Sequence, residues 1–377
     1  MKKKALSKLI ALIKKLDHKL WPTYFYVITD AMAKVLTEKP LVIVDVGAAM
    51  GVDERWQPAE SLIQFVTFEP DTRSQDYATT AKTVNFATGL SAEKGKKALH
   101  LTTFAPASSL YPLNMAQLQD FANREWHESA GSIPIEVDTL NNCLADRPEL
   151  RPDFMKVDVE GADLDVLKGA SDFLDTTLMG LQIEVSFIER HKGAPFFAET
   201  DAFIREQGFA LFILSREHWL RHNLVYGANS NPQLIWGDAV YFLKREQLLE
   251  RLRTVSSEEQ THIILSKFIA ILLGYGAHDY AVEVIDAALA AKLVSEAIAK
   301  DLKKAVSLSV VNPTAYFFRS LSGVIFASFL YLLSVPVGAL RRRTGAYLKK
   351  RMANLLHHLS KSVARGGIYD SCISDHH

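Results

Sequence analysis

The chain has 377 residues, enough to bury a full core and to hold more than one domain. Its 43 basic and 43 acidic residues balance, but unevenly: residues 1–20 hold seven Lys against one Asp, residues 341–365 hold eight Lys or Arg and no acid, and residues 21–340 keep 28 bases against 40 acids. An acidic body without a basic stripe excludes a general nucleic-acid surface, and two cysteines, Cys143 and Cys372, exclude a disulfide framework or a zinc cluster and fit a reducing cytoplasm.

Residues 1–38 open with a basic amphipathic helical segment. Leu6, Leu9, Ile10, Ile13, Leu16 and Leu20 recur at helical spacing with lysines opposite. Such a helix either lies on an anionic membrane surface or docks on the body with its lysines solvated. Lys14 and Lys15 break the apolar run and no small-residue cleavage site follows, which argues against a signal peptide.

Over residues 39–246 the pattern changes to short apolar runs between helical stretches. The runs 41–47, 63–70, 83–88, 153–161, 180–186, 209–214 and 238–245 read as seven strands. Their near-continuous hydrophobicity predicts strands buried on both faces, hence an α/β, doubly wound, Rossmann-like domain with a mostly parallel sheet. The stretch 89–135 is too long for an ordinary connection and reads as a functional insertion, with Ser108 and Ser109 as lid or substrate contacts.

Residues 247–312 are helical by composition and period, a C-terminal extension whose 263–291 stretch loosely resembles one tetratricopeptide unit. Within 313–377, residues 320–340 are 21 uncharged residues followed by Arg341, Arg342 and Arg343. Such a segment is long enough to span a bilayer; the alternatives are a bent, re-entrant helix at Gly323 and Pro336, or a core helix. Residues 1–20 and 320–365 together suggest association with the cytoplasmic face of a membrane.

The chemistry starts at the first strand. "VIVDVGAAMG" turns through Asp45, Gly47, Ala48 and Gly51, where small residues allow a ligand to approach the backbone. It matches neither the dinucleotide fingerprint nor the phosphate loop. Glu69 ends the second strand, where an acid accepts ribose hydroxyls. A glycine turn, a ribose acid and no phosphate loop point to S-adenosylmethionine.

The stretch "DFMKVDVEGADLDVLKGA" (153–170) then resembles the signature of the FkbM family of S-adenosylmethionine-dependent methyltransferases. The resemblance takes in Asp45–Gly51, "FEP" (68–70), "IPIEVDTLNNCL" (133–144), "LQIEVSF" (181–187) and "DAVYFL" (238–243), and covers about residues 40–245. It departs at Ala49, where the family often has Asn. It implies a Rossmann-like class I methyltransferase sheet and methyl transfer to a hydroxyl, typically of a sugar or a polyketide-like product. By position it implies that Asp45, Gly47, Gly51 and Glu69 cradle the cofactor, with Gly89 and Leu90 at the adenine edge. Asp158, Glu160 and Gly161 fall on the reaction-side loop, and Glu184 ends the fifth strand beside it.

An alcohol must lose its proton during such a transfer, so a base is expected: Asp158 or Glu160, with Glu184 next. Lys156 shares the strand face of Asp158, to pair with an acid or to orient substrate. His191 is a further substrate contact to test. Asp163 and Asp165 read as helix-terminus charges. Asp158, Glu160 and Glu184 also form an oxygen set suited to a divalent metal, which is not the favoured reading. The expected function is O-methylation of a sugar or lipid-linked saccharide. The alternatives are a non-catalytic scaffold on the same fold and a soluble small-molecule O-methyltransferase. Oligomeric state is left open.

Overall fold

Strand β1 (Leu41–Val46) is apolar apart from Asp45, rich in β-branched residues and buried at every position, as expected for the centre of a covered parallel sheet. The computed structural model describes residues 26–310 apart from 50, 52, 72, 74–81, 122–127, 223–229 and 256. Around β1 lie β2 (Ile63–Phe68), β3 (Thr83–Phe86), β7 (Phe154–Val157), β8 (Gly180–Ser186), β9 (Phe209–Trp219) and β10 (Gln233–Leu243), in the order β3-β2-β1-β7-β8-β10-β9. All seven runs read as strands form this sheet. Strands β3, β2, β1, β7 and β8 are parallel, and β10 inserts antiparallel between β8 and β9. The order reverses between β1 and β7, the switch point beside which ligands bind in such sheets.

The insertion has structure that its sequence did not announce. Strands β4 (Gly89–Leu90), β5 (Gly95–Thr102) and β6 (Ser129–Asp138) make a separate three-stranded sheet in the order β4-β6-β5. Most of β6 is exposed and Pro134 lies within it, so no continuous apolar run marks it.

Helix α1 (Asp30–Glu38) is capped by Thr29, whose hydroxyl accepts from the Met32 N–H, and buries Met32 and Leu36 one turn apart. Helices α2 (Asp163–Lys168) and α3 (Ser171–Thr176) follow β7, and α4 (Phe197–Glu206) follows β8. The extension is α5 (Arg245–Thr254), α6 (Glu258–Gly274), α7 (His278–Ala290) and α8 (Glu296–Ser309). Helix α6 buries an unbroken run from Phe268 to Gly274, which its sequence favours by being apolar nearly all round.

Residues Ile28–Val306 form one compact unit. In it, Lys267 Nζ lies 2.7 Å from Asp153 Oδ2 at the foot of β7, and the Tyr275 hydroxyl donates to Gln182 Oε1 at 2.9 Å. Residues 1–27 and 307–377 group separately. The readings placed on 1–20 and 320–365 lie outside the described residues. Among the described residues no helix is long and apolar enough to cross a membrane.

Candidate functional site

The carboxyl ends of β1, β2 and β7 open on a cleft of about 530 Å³, counted out to open solvent. Its walls include Gly47, Phe68, Glu69, Gly89, Leu90, Ser108, Ser109 and Asp158. Leu99, Val159 and Pro106 add apolar surface. Glu69, Asp71 and Asp158 are the acids among the described lining residues, and no Lys or Arg is among them. That wall disfavours phosphates and suits a ligand bearing hydroxyls and positive charge.

Gly47 has φ +79°, and a β-carbon there would lie 1.9 Å from the Asp158 carbonyl oxygen. Only glycine fits this crossing of two chains. Gly51 also has φ +79°, with open space around it. Ala48 is buried. Gly89 faces Ile135 Cδ1, 2.9 Å from where its β-carbon would stand, so the small sheet presses on the cleft there.

Glu69 is buried at the end of β2, and its Oε1 accepts from the Asp71 N–H at 2.7 Å. Burial pushes its carboxyl up to about 7. Asp71 is held the other way: burial would raise it, but hydrogen bonds and charge from Arg73 bring it below the usual carboxylate range. Arg73 Nη2 also donates to Ser108 Oγ at 3.0 Å, and Nη1 to the Thr102 carbonyl at 3.0 Å. Ser109 Oγ donates to the Glu160 carbonyl at 2.7 Å, and the Tyr111 hydroxyl donates to Asp165 at 3.0 Å. The segment 105–111 is therefore a strap from the Glu69 side to the β7 loop.

Asp45, Lys156 and Gln182 stand side by side on β1, β7 and β8. Lys156 Nζ lies 3.1 Å from Asp158 Oδ2 and 3.5 Å from Asp45 Oδ1. Burial pushes the Asp45 carboxyl up, partly offset by the Lys156 charge. Burial alone would lower the ammonium of Lys156, but Asp45 and Asp158 outweigh it and raise it.

After β7 the chain turns sharply. Glu160 has φ +57° and Gly161 φ +100°. Asp163 holds the turn: Oδ1 accepts from the Val159 N–H at 3.2 Å and Oδ2 from the Gly161 N–H at 2.9 Å. It begins a helix as expected, but it is buried, and burial pushes its carboxyl up to about 7.

Arg190 carries the rest of the site. It is 2% exposed. Nη1 lies 3.1 Å from Glu160 Oε2, Nη2 bonds Glu184 Oε1, and Nε donates to Ser186 Oγ at 3.3 Å. Burial raises the carboxyls of Glu160 and Glu184, and Arg190 pulls both back. One oxygen from each of Asp158, Glu160 and Glu184 falls within 4.8 Å of the others, a spacing that fits oxygen ligands around a divalent ion. Two of those carboxylates are already bonded to Arg190.

The structure thus brings Asp158, Glu69, Gly47, Gly89, Leu90, Ser108 and Ser109 to one cleft. Lys156 and Asp45 stand behind Asp158. Glu160 and Glu184 face Arg190, and His191 is buried, pairing backbone to backbone with Leu113. Sequence reasoning missed Asp71, which lines the cleft, and its partner Arg73, and it missed two residues nearer Asp158. One is Arg190, hidden in "FIERHKG". The other is Asp238, opposite Glu184 on β10, whose carboxyl burial pushes up to about 6. Asp238 stood inside a quoted motif, but only the antiparallel return of β10 puts it at the site edge.

A seven-stranded sheet with one antiparallel strand next to its edge, and a glycine-lined cleft at the switch point, define a Rossmann-like methyltransferase fold. Residues 45–211 match the family model of the methyltransferase FkbM domain. Over those residues the chain carries a methyltransferase FkbM domain. A solved structure, methyltransferase FkbM from Methylobacillus flagellatus KT, is similar at 15% identity with a TM-score of 0.32, over 54% of this chain. This chain covers 44% of that one, less than half its length. No curated protein matches.

Proposed function

We propose that the chain transfers a methyl group from S-adenosylmethionine to a hydroxyl, with Asp158 as the general base. One observation carries the reading. Of the three acids expected as bases, Asp158 alone lines the cleft, with its side chain 38% exposed, while Glu160 and Glu184 are bonded to Arg190.

The cleft suits the cofactor. Gly47 lets the turn after β1 pack against the Asp158 carbonyl at the cleft wall, and buried Glu69 offers a carboxyl for two ribose hydroxyls. Phe68, Leu90 and Leu99 supply an apolar wall for an adenine ring. The bound cofactor would supply an electrophilic methyl on a sulfonium. Asp158 takes the hydroxyl proton as the oxygen attacks, and Lys156 orients its carboxylate. The strap through Ser108 and Ser109 forms one wall of the cleft, bonded to Arg73 on one side and to the Glu160 carbonyl on the other.

A sugar or lipid-linked saccharide is the acceptor we favour, at the cytoplasmic membrane face. The family resemblance supports the hydroxyl, and the basic ends support the location. Calorimetry of the full chain with S-adenosylmethionine tests the cofactor: a saturable isotherm is expected, and its absence rejects the reading. Mass spectrometry of surface glycans and lipids with and without the gene identifies the acceptor by the loss of one methyl. Carbonate and detergent washes test the location, and full release in buffer alone rejects it.

A further inference from the structure

We propose that Arg190 is a resident cation, a positioning residue that occupies the place a divalent ion would take among Asp158, Glu160 and Glu184. Three observations carry this. The oxygens of the three carboxylates converge within 4.8 Å. Arg190 is buried against them, with one Nη on Glu160 and the other on Glu184. The guanidinium is itself fixed, by Ser186 Oγ at Nε and by the Trp236 ring, whose centroid lies 5.6 Å from Cζ.

A guanidinium suits this task. Its planar fork reaches two carboxylates at once and stays protonated when buried. Three converging carboxylates without a counter-charge repel one another and resist desolvation. A protein can meet that cost with a bound metal or with a cation of its own, and this chain carries the second. Lys156 completes the arrangement by pairing with Asp158, the member Arg190 is not bonded to.

Arg190 also fixes backbone. Glu160 holds φ +57°, a conformation that a non-glycine residue keeps only when its surroundings impose it. Its carboxylate is bonded to Arg190 and its carbonyl to Ser109. Held at both ends, Glu160 keeps the turn that carries Asp158 in one shape. This consequence for Asp158 as base rests on the function proposed above; the cation role does not.

The experiment titrates Mn²⁺ into the full chain and follows the ion by electron paramagnetic resonance, with S-adenosylmethionine calorimetry run on the same samples. Wild type is expected to bind no Mn²⁺ at this site. Arg190→Met should bind one Mn²⁺ at least about tenfold more tightly than wild type, because Glu160 and Glu184 are then released to act as oxygen ligands beside Asp158. Adding Glu184→Gln should abolish that gain. Arg190→Lys, which keeps a cation, should behave as wild type. Wild-type Mn²⁺ binding that Glu184→Gln removes would overturn the proposal. So would an Arg190→Met chain that binds the cofactor normally but gains no Mn²⁺. If Arg190→Met does not fold, the wild-type and Glu184→Gln titrations still decide. Failure of wild type to bind S-adenosylmethionine would instead count against the methyltransferase reading and leave the Mn²⁺ result standing.

Discussion

The carbonyl oxygen of Asp158 sits 1.9 Å from the point where a β-carbon on Gly47 would stand, so the turn after β1 and the loop after β7 are packed backbone against backbone at that point. Gly47→Ala must therefore push the β7 loop away while also adopting φ +79°. The expected loss is at least about 2 kcal/mol of stability, with a weakened cofactor isotherm. Urea unfolding and calorimetry check both. Unchanged values in the two measurements would show that the loop does not rest on Gly47.

The carboxyl of Glu69 is pushed up to about 7 by burial. A group raised on folding contributes stability that is full below its unfolded value and is lost as pH rises through the folded one. Between about pH 4.5 and 7 the wild type should lose up to about 3 kcal/mol that Glu69→Gln retains. Cofactor affinity should move oppositely, because the carboxylate anion accepts ribose hydroxyls best. The check is calorimetry from pH 6 to 8: affinity rises in wild type and stays flat in Glu69→Gln. A flat wild-type profile removes Glu69 from the ribose.

Asp153 and Lys267 form a buried pair, with side chains 9% and 15% exposed. Asp153 Oδ2 also accepts from the Val42 N–H at 2.8 Å. Lys267→Met should cost about 3–5 kcal/mol, since it strands a buried carboxylate. The double variant Asp153→Asn with Lys267→Met should recover much of that. Denaturant midpoints measure the cycle, and equal losses in the single and double variants would contradict the account.

Asp158→Asn should lower methyl transfer by about 10²–10⁴-fold, the usual contribution of a general base, while cofactor binding stays intact. Glu184→Gln should instead act mainly through Arg190, reducing stability. Turnover on the identified acceptor, set beside thermal unfolding, distinguishes the two. A stable Glu184→Gln chain that loses as much turnover as Asp158→Asn would move the base to Glu184.

The centre of the sheet was legible because β1, β2, β7 and β8 are buried nearly throughout, and burial writes long apolar runs such as "LVIVDV". The ends of β9 and β10 were not, because residues 215–218 of β9 are polar and exposed, and Gln233, Gly237 and Asp238 interrupt the apolar residues of β10. The small sheet was read only as a functional insertion for a related reason: β5 buries only Leu99 and Thr102, and β6 is mostly exposed. Local motifs exposed Gly47, Glu69 and Asp158, each at a strand end. Arg190 left no such trace. It lies six positions past Glu184, and its meaning comes from the chain turning back on itself, which spacing does not encode.

Tyr275 lies in the extension and is not among the described residues that line the cleft. Its hydroxyl donates to Gln182, whose side chain influences Asp238, beside Lys156 and Asp158. One hydrogen bond and one polar neighbour thus link the turn after α6 to the carboxylates beside the cleft. A substitution at Tyr275, or a truncation that removes it, can reproduce the signature of an active-site lesion from a residue that performs no chemistry. Genetic maps of this chain should place loss-of-function changes well outside residues 45–211.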